Sequence, residues 1–220
     1  MEGTGADDDI RISHFSGDYS VELIDGGAGT NRILGSTGSN TLDFRVTQLI
    51  GIALIDGDAG NDVLYGTADA DVIVGGLGSD YLYGDGGDDR FLFSAGDTGY
   101  DRYHGGDGVD RLEGTDADDD IRISHFSGGY SVELIDGGAG NDVIYGSAGN
   151  DVIVGGLGSD YVFGDGGDDR FLFSAGDTGY DRYFGGDGID RLEGTDADDD
   201  IRISHFSGDY SVELIDGGAG

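Results

Sequence analysis

The chain has no cysteine, no proline, no tryptophan and no lysine. Without cysteine no disulfide can hold the fold, so a thin core needs another staple, and a metal ion is the obvious one. Without lysine all 11 cationic side chains are arginine; they face 46 aspartates and glutamates, and the formal net charge is -35. Such a chain repels phosphate, which argues against nucleic acid as a partner and against an anionic membrane surface. No apolar run approaches the ~18 residues of a membrane-spanning helix, so no membrane insertion is expected. The N-terminus, Met1-Glu2-Gly3-Thr4-Gly5, carries neither the basic nor the apolar stretch of a signal peptide. Export then calls for a signal outside this sequence. What the composition favours as a partner is a cation.

Glycine, by contrast, is abundant: 47 of 220 residues, with 36% of the chain still hydrophobic. The glycines and aspartates recur in register with Val, Ile, Leu and Tyr at a period of about nine residues, which argues for periodic structure over disorder. From Gly57 the chain reads GDAGNDVLY, GTADADVIV, GGLGSDYLY, GDGGDDRFL; from Gly137 it reads GGAGNDVIY, GSAGNDVIV, GGLGSDYVF, GDGGDDRFL. Further copies start at Gly105, Gly114, Gly185 and Gly194, and weaker ones at Gly3, Gly26 and Gly35. A second period of about 80 residues lies above the first, since the stretch from Gly57 to Gly140 nearly recurs from Gly137 to Gly220. On this spacing, residues 1–56 hold degenerate repeats with longer strands, 57–136 a first unit, 137–216 a second, and 217–220 the start of a truncated repeat. Met1 stands where Leu112 and Leu192 stand in later copies, so the chain reads as a piece cut from a longer array.

The pattern G-G-x-G-x-D-x-U-x, with U a large apolar residue, resembles the calcium-binding nonapeptide of the RTX (repeats-in-toxin, haemolysin-type) proteins. The resemblance implies an all-β, right-handed parallel β-roll, or β-helix solenoid, in which two nonapeptides complete one circuit. It implies that turn aspartates and turn carbonyls bind multiple Ca²⁺ ions, and that the module belongs to a bacterial protein exported by type I secretion that folds outside the cell.

The residues themselves give the chemistry. In Gly155–Phe163 the glycines permit backbone angles closed to other residues, Asp160 supplies a carboxylate, and Tyr161-Val162-Phe163 alternates as a short strand with Val162 inward. Turns two repeats apart stack about 4.8 Å from one another. That places Asp142 over Asp160, Asp151 over Asp169, Asp62 with Asp80 and Asp71 with Asp89. Two carboxylates plus several carbonyls form an oxygen-only site that suits Ca²⁺ and not Zn²⁺. The expected ligands are Asp62, Asp71, Asp80, Asp89, Asp110, Asp119, Asp142, Asp151, Asp160, Asp169, Asp190 and Asp199. Asn31 and Asn40 replace Asp in the N-terminal copies, so sites there should be weak or missing. Asp69, Ala117 and Ala197 replace the third glycine of their repeats, so those turns should be strained or altered. No ligand is assigned in the long turns around Asp101 and Asp181.

Each nonapeptide buries one main apolar residue, such as Leu64, Ile73, Leu82 or Phe91, worth ~1.5–3 kcal/mol. Ordering the backbone costs ~1–2 kcal/mol per residue, and the stacked carboxylates repel. The metal-free repeats should therefore be largely unfolded, with Ca²⁺ supplying the missing free energy. Tyr65 with Tyr83 and Tyr145 with Phe163 should stack on one sheet face, as cross-strand packing or as a docking surface. The segments IRISHF and YSVELI read as longer strands. His14, His104, His125 and His205 lack any zinc spacing and read as structural. No G-x-S-x-G or H-E-x-x-H occurs, and no enzyme is expected. Three functional classes follow: a stalk, spacer or folding module of a large secreted adhesin or surface protein; a secretion or targeting module of an exoenzyme or toxin; and a ligand-binding module for a glycan or cell surface. Head-to-tail or lateral self-association is compatible with each.

Overall fold

The computed structural model of the protein describes residues 5–15, 21–123, 133–195 and 212–218. Every regular element among them is a β-strand, and every strand pairing is parallel. The chain divides into two compact units, Met1–Asp110 and Arg111–Gly220. Each is built as coils of parallel β-strands, as the nonapeptide pattern predicts.

In the first unit one wall is built from Asp9–Arg11, Asn31–Leu34, Ile52–Asp56, Val72–Val74 and Arg90–Leu92. The opposite wall is Thr41–Asp43, Val63–Tyr65, Tyr81–Gly86 and Arg102–Asp107. In the second unit the walls are Arg111–Glu113, Leu134–Asp136, Val152–Val154, Arg170–Leu172, Arg191–Glu193 and Leu214–Asp216, and, facing them, Asp120–Arg122, Val143–Tyr145, Tyr161–Gly166 and Arg182–Asp187. Successive repeats alternate between walls, so a strand pairs with the strand two repeats on: Leu64 lies beside Leu82, and Ile153 beside Phe171.

Most strands are three residues long because a glycine turn claims the other six of each nonapeptide. Only the middle residue points inward. Leu64, Ile73, Leu82 and Phe91 are fully buried, as are Ile144, Ile153, Val162 and Phe171. The core is thus a file of single side chains, one per repeat, as the alternation predicted.

The longer strand expected for IRISHF is not found at residues 10–15. Asp9–Arg11 is a strand of three residues. The Ile12 amide still donates to Leu34 O of one wall, but the Phe15 amide donates to Thr41 O of the other. The chain turns a corner between them, and apolar alternation cannot distinguish a strand from a strand that bends between walls. The matching stretch at 124–132 lies outside the described residues.

Candidate metal corners

The turns stack into ladders at the two edges of each unit. The Asp62 amide donates to Asp80 Oδ1 at 2.7 Å, and the Asp80 amide to Asp101 Oδ1 at 2.9 Å. On the other edge the Asp71 amide donates to Asp89 Oδ1 at 2.8 Å, and the Asp89 amide to Asp110 Oδ1 at 2.9 Å. The second unit repeats this, Asp119 to Asp142 to Asp160 to Asp181, and Asp151 to Asp169 to Asp190. One carboxylate oxygen of each rung after the first is therefore fixed by the backbone of the coil below.

The second oxygen decides the chemistry. Oδ2 of Asp62, Asp80, Asp89, Asp142, Asp160, Asp169 and Asp190 is buried and receives no hydrogen bond. These residues are 0–1% exposed. A Cβ placed on Gly57 would collide with Asp62 Oδ2, at 2.5 Å, and with the carbonyl oxygen of Gly75 in the next coil; at Gly137 the same collision involves Asp142 Oδ2 and Gly155 O. Carboxylate and carbonyl oxygens thus converge on one point with no proton between them. Burying acceptors this way without a donor is unfavourable unless a cation joins them.

An internal control supports this reading. At Asn31 the corner has the same shape, and a Cβ on Gly26 would meet Asn31 Nδ2 and Gly51 O, both at 2.7 Å. Here the nitrogen donates to Gly51 O at 2.9 Å. The amide proton stands where the aspartate corners have two oxygens facing each other.

Burial raises the affected carboxylates from their ordinary 3.8 to about 7 at Asp62, Asp89, Asp142 and Asp169 and about 6 at Asp80; the neighbouring carboxylates on each rung add to the effect in most of them. Such groups bind a cation or a proton. The arginines do not fill the role. Of those described, all but Arg45 lie in strands; Arg32 pairs with Asp9 at 2.7 Å, Arg170 with Glu193 at 2.7 Å and Arg191 with Asp216 at 2.9 Å, while Arg102 and Arg182 lie over the rings of Tyr81 and Tyr161. Positive charge sits on the walls, and the corners keep their negative field.

Among the described residues no three His, Cys, Asp or Glu side chains gather as a metal cluster. A corner offers carboxylates from adjacent rungs, with backbone carbonyls as the other donors. That all-oxygen set fits a hard cation such as Ca²⁺.

The sequence reading missed several members of the ladders. Glu213 receives the Asp190 amide at 2.7 Å and continues that ladder. The signal was available: Glu precedes Leu-Ile-Asp in VELID as Asp precedes the strand triplet elsewhere. Asp101 and Asp181, left without a role, are full rungs, but the phenols of Tyr103 and Tyr183 donate to their Oδ2 atoms, each at 3.1 Å. Asp97, in the degenerate turn, accepts from the Gly78 and Gly99 amides through Oδ1, while its Oδ2 is buried without a donor. Asp199, His125 and His205 lie outside the described residues.

The aromatic rows stack as expected. Ring centroids are 4.5 Å apart for Tyr65–Tyr83 and 4.6 Å for Tyr145–Phe163, and His104 and Phe184 extend the rows. The rings lie face to face, so their faces are used on one another and their edges point out. A recess of about 440 Å³ near Tyr145 is lined by Arg122, Asp165 and Asp187, but the Arg122 guanidinium already lies 5.2 Å over the Tyr145 ring. This geometry favours cross-strand packing over a flat platform for a sugar. Burial lowers His104 to about 4, which leaves it neutral at pH 7.

Fold and corners together define a parallel β-solenoid whose turns are lined by carboxylate and carbonyl oxygens. A family profile for the RTX calcium-binding nonapeptide repeat matches residues 16–43, 56–91, 65–103, 127–162, 136–171 and 146–180. These matches span more than half of the chain, which belongs to that family. A comparison with curated proteins found no match.

Proposed function

We propose that the protein is a folding module, switched by Ca²⁺, that serves as a stalk or spacer in a larger secreted protein. The reading rests on the buried Oδ2 atoms of Asp62, Asp80, Asp89, Asp142, Asp160, Asp169 and Asp190, each held by a backbone amide on its other oxygen and each without a donor of its own. With them we assign Asp110, whose Oδ1 takes the Asp89 amide and whose Oδ2 lies against the Gly105 cradle. Bound Ca²⁺ supplies the positive charge that lets stacked carboxylates and carbonyls share a dry corner.

The chain's own part is to present the oxygens. Glycine at positive φ lets successive turns stack closely: Gly156 has φ 106° and Gly158 φ 139°, and a Cβ on either would run into the carbonyl of the coil below. The stacked amides orient the carboxylates. The file of single core residues is too thin to outweigh carboxylate repulsion unaided. Extracellular calcium modules bind at ~10⁻⁴–10⁻³ M, so the chain stays open where Ca²⁺ is scarce and folds where it is plentiful. This suits export unfolded and folding outside the cell. Nothing in the ladders resembles a reaction centre, and we read the module as non-catalytic.

A calcium titration followed by far-ultraviolet circular dichroism and calorimetry tests the proposal. Cooperative gain of β signal with uptake of several ions is expected. Full β structure in excess chelator, or no heat of binding, would overturn it.

A further inference from the structure

The corners are of two kinds, and the residue in the second position of the turn separates them. In the turns that precede Asp71, Asp119 and Asp151 that residue is Thr67, Thr115 or Ser147. The Thr67 amide and hydroxyl donate to Asp71 Oδ2 at 2.6 and 2.9 Å. Thr115 does the same to Asp119 Oδ2 at 2.6 and 3.0 Å, and Ser147 to Asp151 Oδ2 at 2.7 and 3.0 Å. Each hydroxyl in turn accepts an amide two residues on, from Asp69, Ala117 or Gly149, at 3.1 Å. The oxygen that is left without a donor at Asp160 or Asp169 is doubly satisfied here.

The backbone gives an independent sign. Turns with Gly or Asp in the second position place that residue at positive φ, as at Gly76, Asp85, Gly138, Gly156 and Asp165. No residue of 66–71, 114–119 or 146–151 has positive φ. This includes Gly149, although GSAGND keeps the repeat's glycine there. The two turn types therefore follow different backbone paths, although a carbonyl of the next coil stands beside the aspartate Oδ2 in both, Gly84 O at the Gly66 corner and Gly164 O at the Gly146 corner.

We infer that Asp71, Asp119 and Asp151 do not ligate calcium, and that the second turn residue determines which corners take the ion. The hydroxyl turn is a metal-free closure of the same corner. Four ladders begin on one: Ser36 closes on Asn40 through its amide at 2.6 Å, and Thr67, Thr115 and Ser147 close on the first aspartates of the other three. The ion-dependent rungs stand above them. This inference rests on the calcium reading, and narrows it.

The test counts bound ions on the full chain by equilibrium dialysis with ⁴⁵Ca²⁺ and reads the folding midpoint by circular dichroism. The triple variant Asp71→Asn, Asp119→Asn, Asp151→Asn should bind as many ions as the parent, with a midpoint within about twofold. Asp89→Asn, Asp142→Asn, Asp169→Asn should bind fewer, with a midpoint raised about tenfold. An equal loss of ions in both triples overturns the inference. Should the first triple not fold, Ser147→Gly decides: it should bind more ions than the parent, and an unchanged number overturns the inference. A parent chain that takes up no calcium would instead refute the underlying reading.

Discussion

Asn31 and Asp62 occupy the same place in their repeats, on opposite edges of the coil, and differ by one atom of the side-chain terminus. Asn31 Oδ1 accepts the Asp8 amide at 3.0 Å, and its nitrogen donates to Gly51 O. Asp62 Oδ1 accepts the Asn40 amide at 2.6 Å, but its Oδ2 meets the Gly75 carbonyl with no proton to share. The first corner closes with its own atoms and the second requires a positive partner. One repeat thus encodes two regimes, a self-contained coil and an ion-dependent one, and between these two corners the difference is a single NH₂-for-O exchange.

The comparison breaks most visibly under chelation. Amides that donate to asparagine, such as those of Asp8 and Ser36, should keep hydrogen-exchange protection when Ca²⁺ is removed. Amides that donate up the aspartate ladders, such as those of Asp142 and Asp160, should lose it by several orders of magnitude, because their coils open. Equal protection in both sets would erase the distinction between the two regions.

Exchanging the residues sharpens it. Asp142→Asn should stabilise the chain in chelator by ~1 kcal/mol and destabilise the calcium form by ~1–3 kcal/mol, since a charge-assisted contact is traded for a neutral hydrogen bond. Asn31→Asp should do the reverse in chelator. Residual β signal by circular dichroism in chelator and urea melts in calcium measure this, and changes of the same sign in the two would contradict the account.

Protons offer a third handle. The folded carboxylates of Asp62, Asp89, Asp142 and Asp169 are raised to about 7 by burial, from 3.8. A raised carboxylate keeps its contribution to stability below the unfolded value and loses it as pH climbs through the folded one. In chelator, β structure should therefore be greatest near pH 4 and decline toward pH 7. With saturating Ca²⁺ the slope inverts, because acid displaces the ion. Circular dichroism across pH in both buffers checks the two slopes.

These regimes were only partly legible in the sequence. The nine-residue period fixed the strand triplets, the inward residues and the vertical pairing of aspartates, because one residue in nine must fill a core only one side chain wide. It also marked Asn31 and Asn40 as departures. It did not separate Asp151 from Asp160, because both follow a turn with the expected glycine before the aspartate; the backbone type is set at Ser147 or Gly156, where the pattern tolerates either. It also overlooked Glu213, since a motif search keyed on Asp does not see a longer side chain reaching the same amide. The strand length assigned to IRISHF failed because apolar alternation continues through a corner.

The smallest effect separates the ladders from the aromatic rows beside them. Phe163 is stacked between Tyr145 and Phe184, at 4.6 and 4.5 Å. Phe163→Leu keeps an apolar side chain in the row and forfeits two ring contacts worth ~0.5–1.5 kcal/mol each. It should lower stability by that order in calcium and leave the number of bound ions unchanged. If the row instead shaped the corners, ion count and stability would fall together, and the rows would have to be counted as part of the metal architecture.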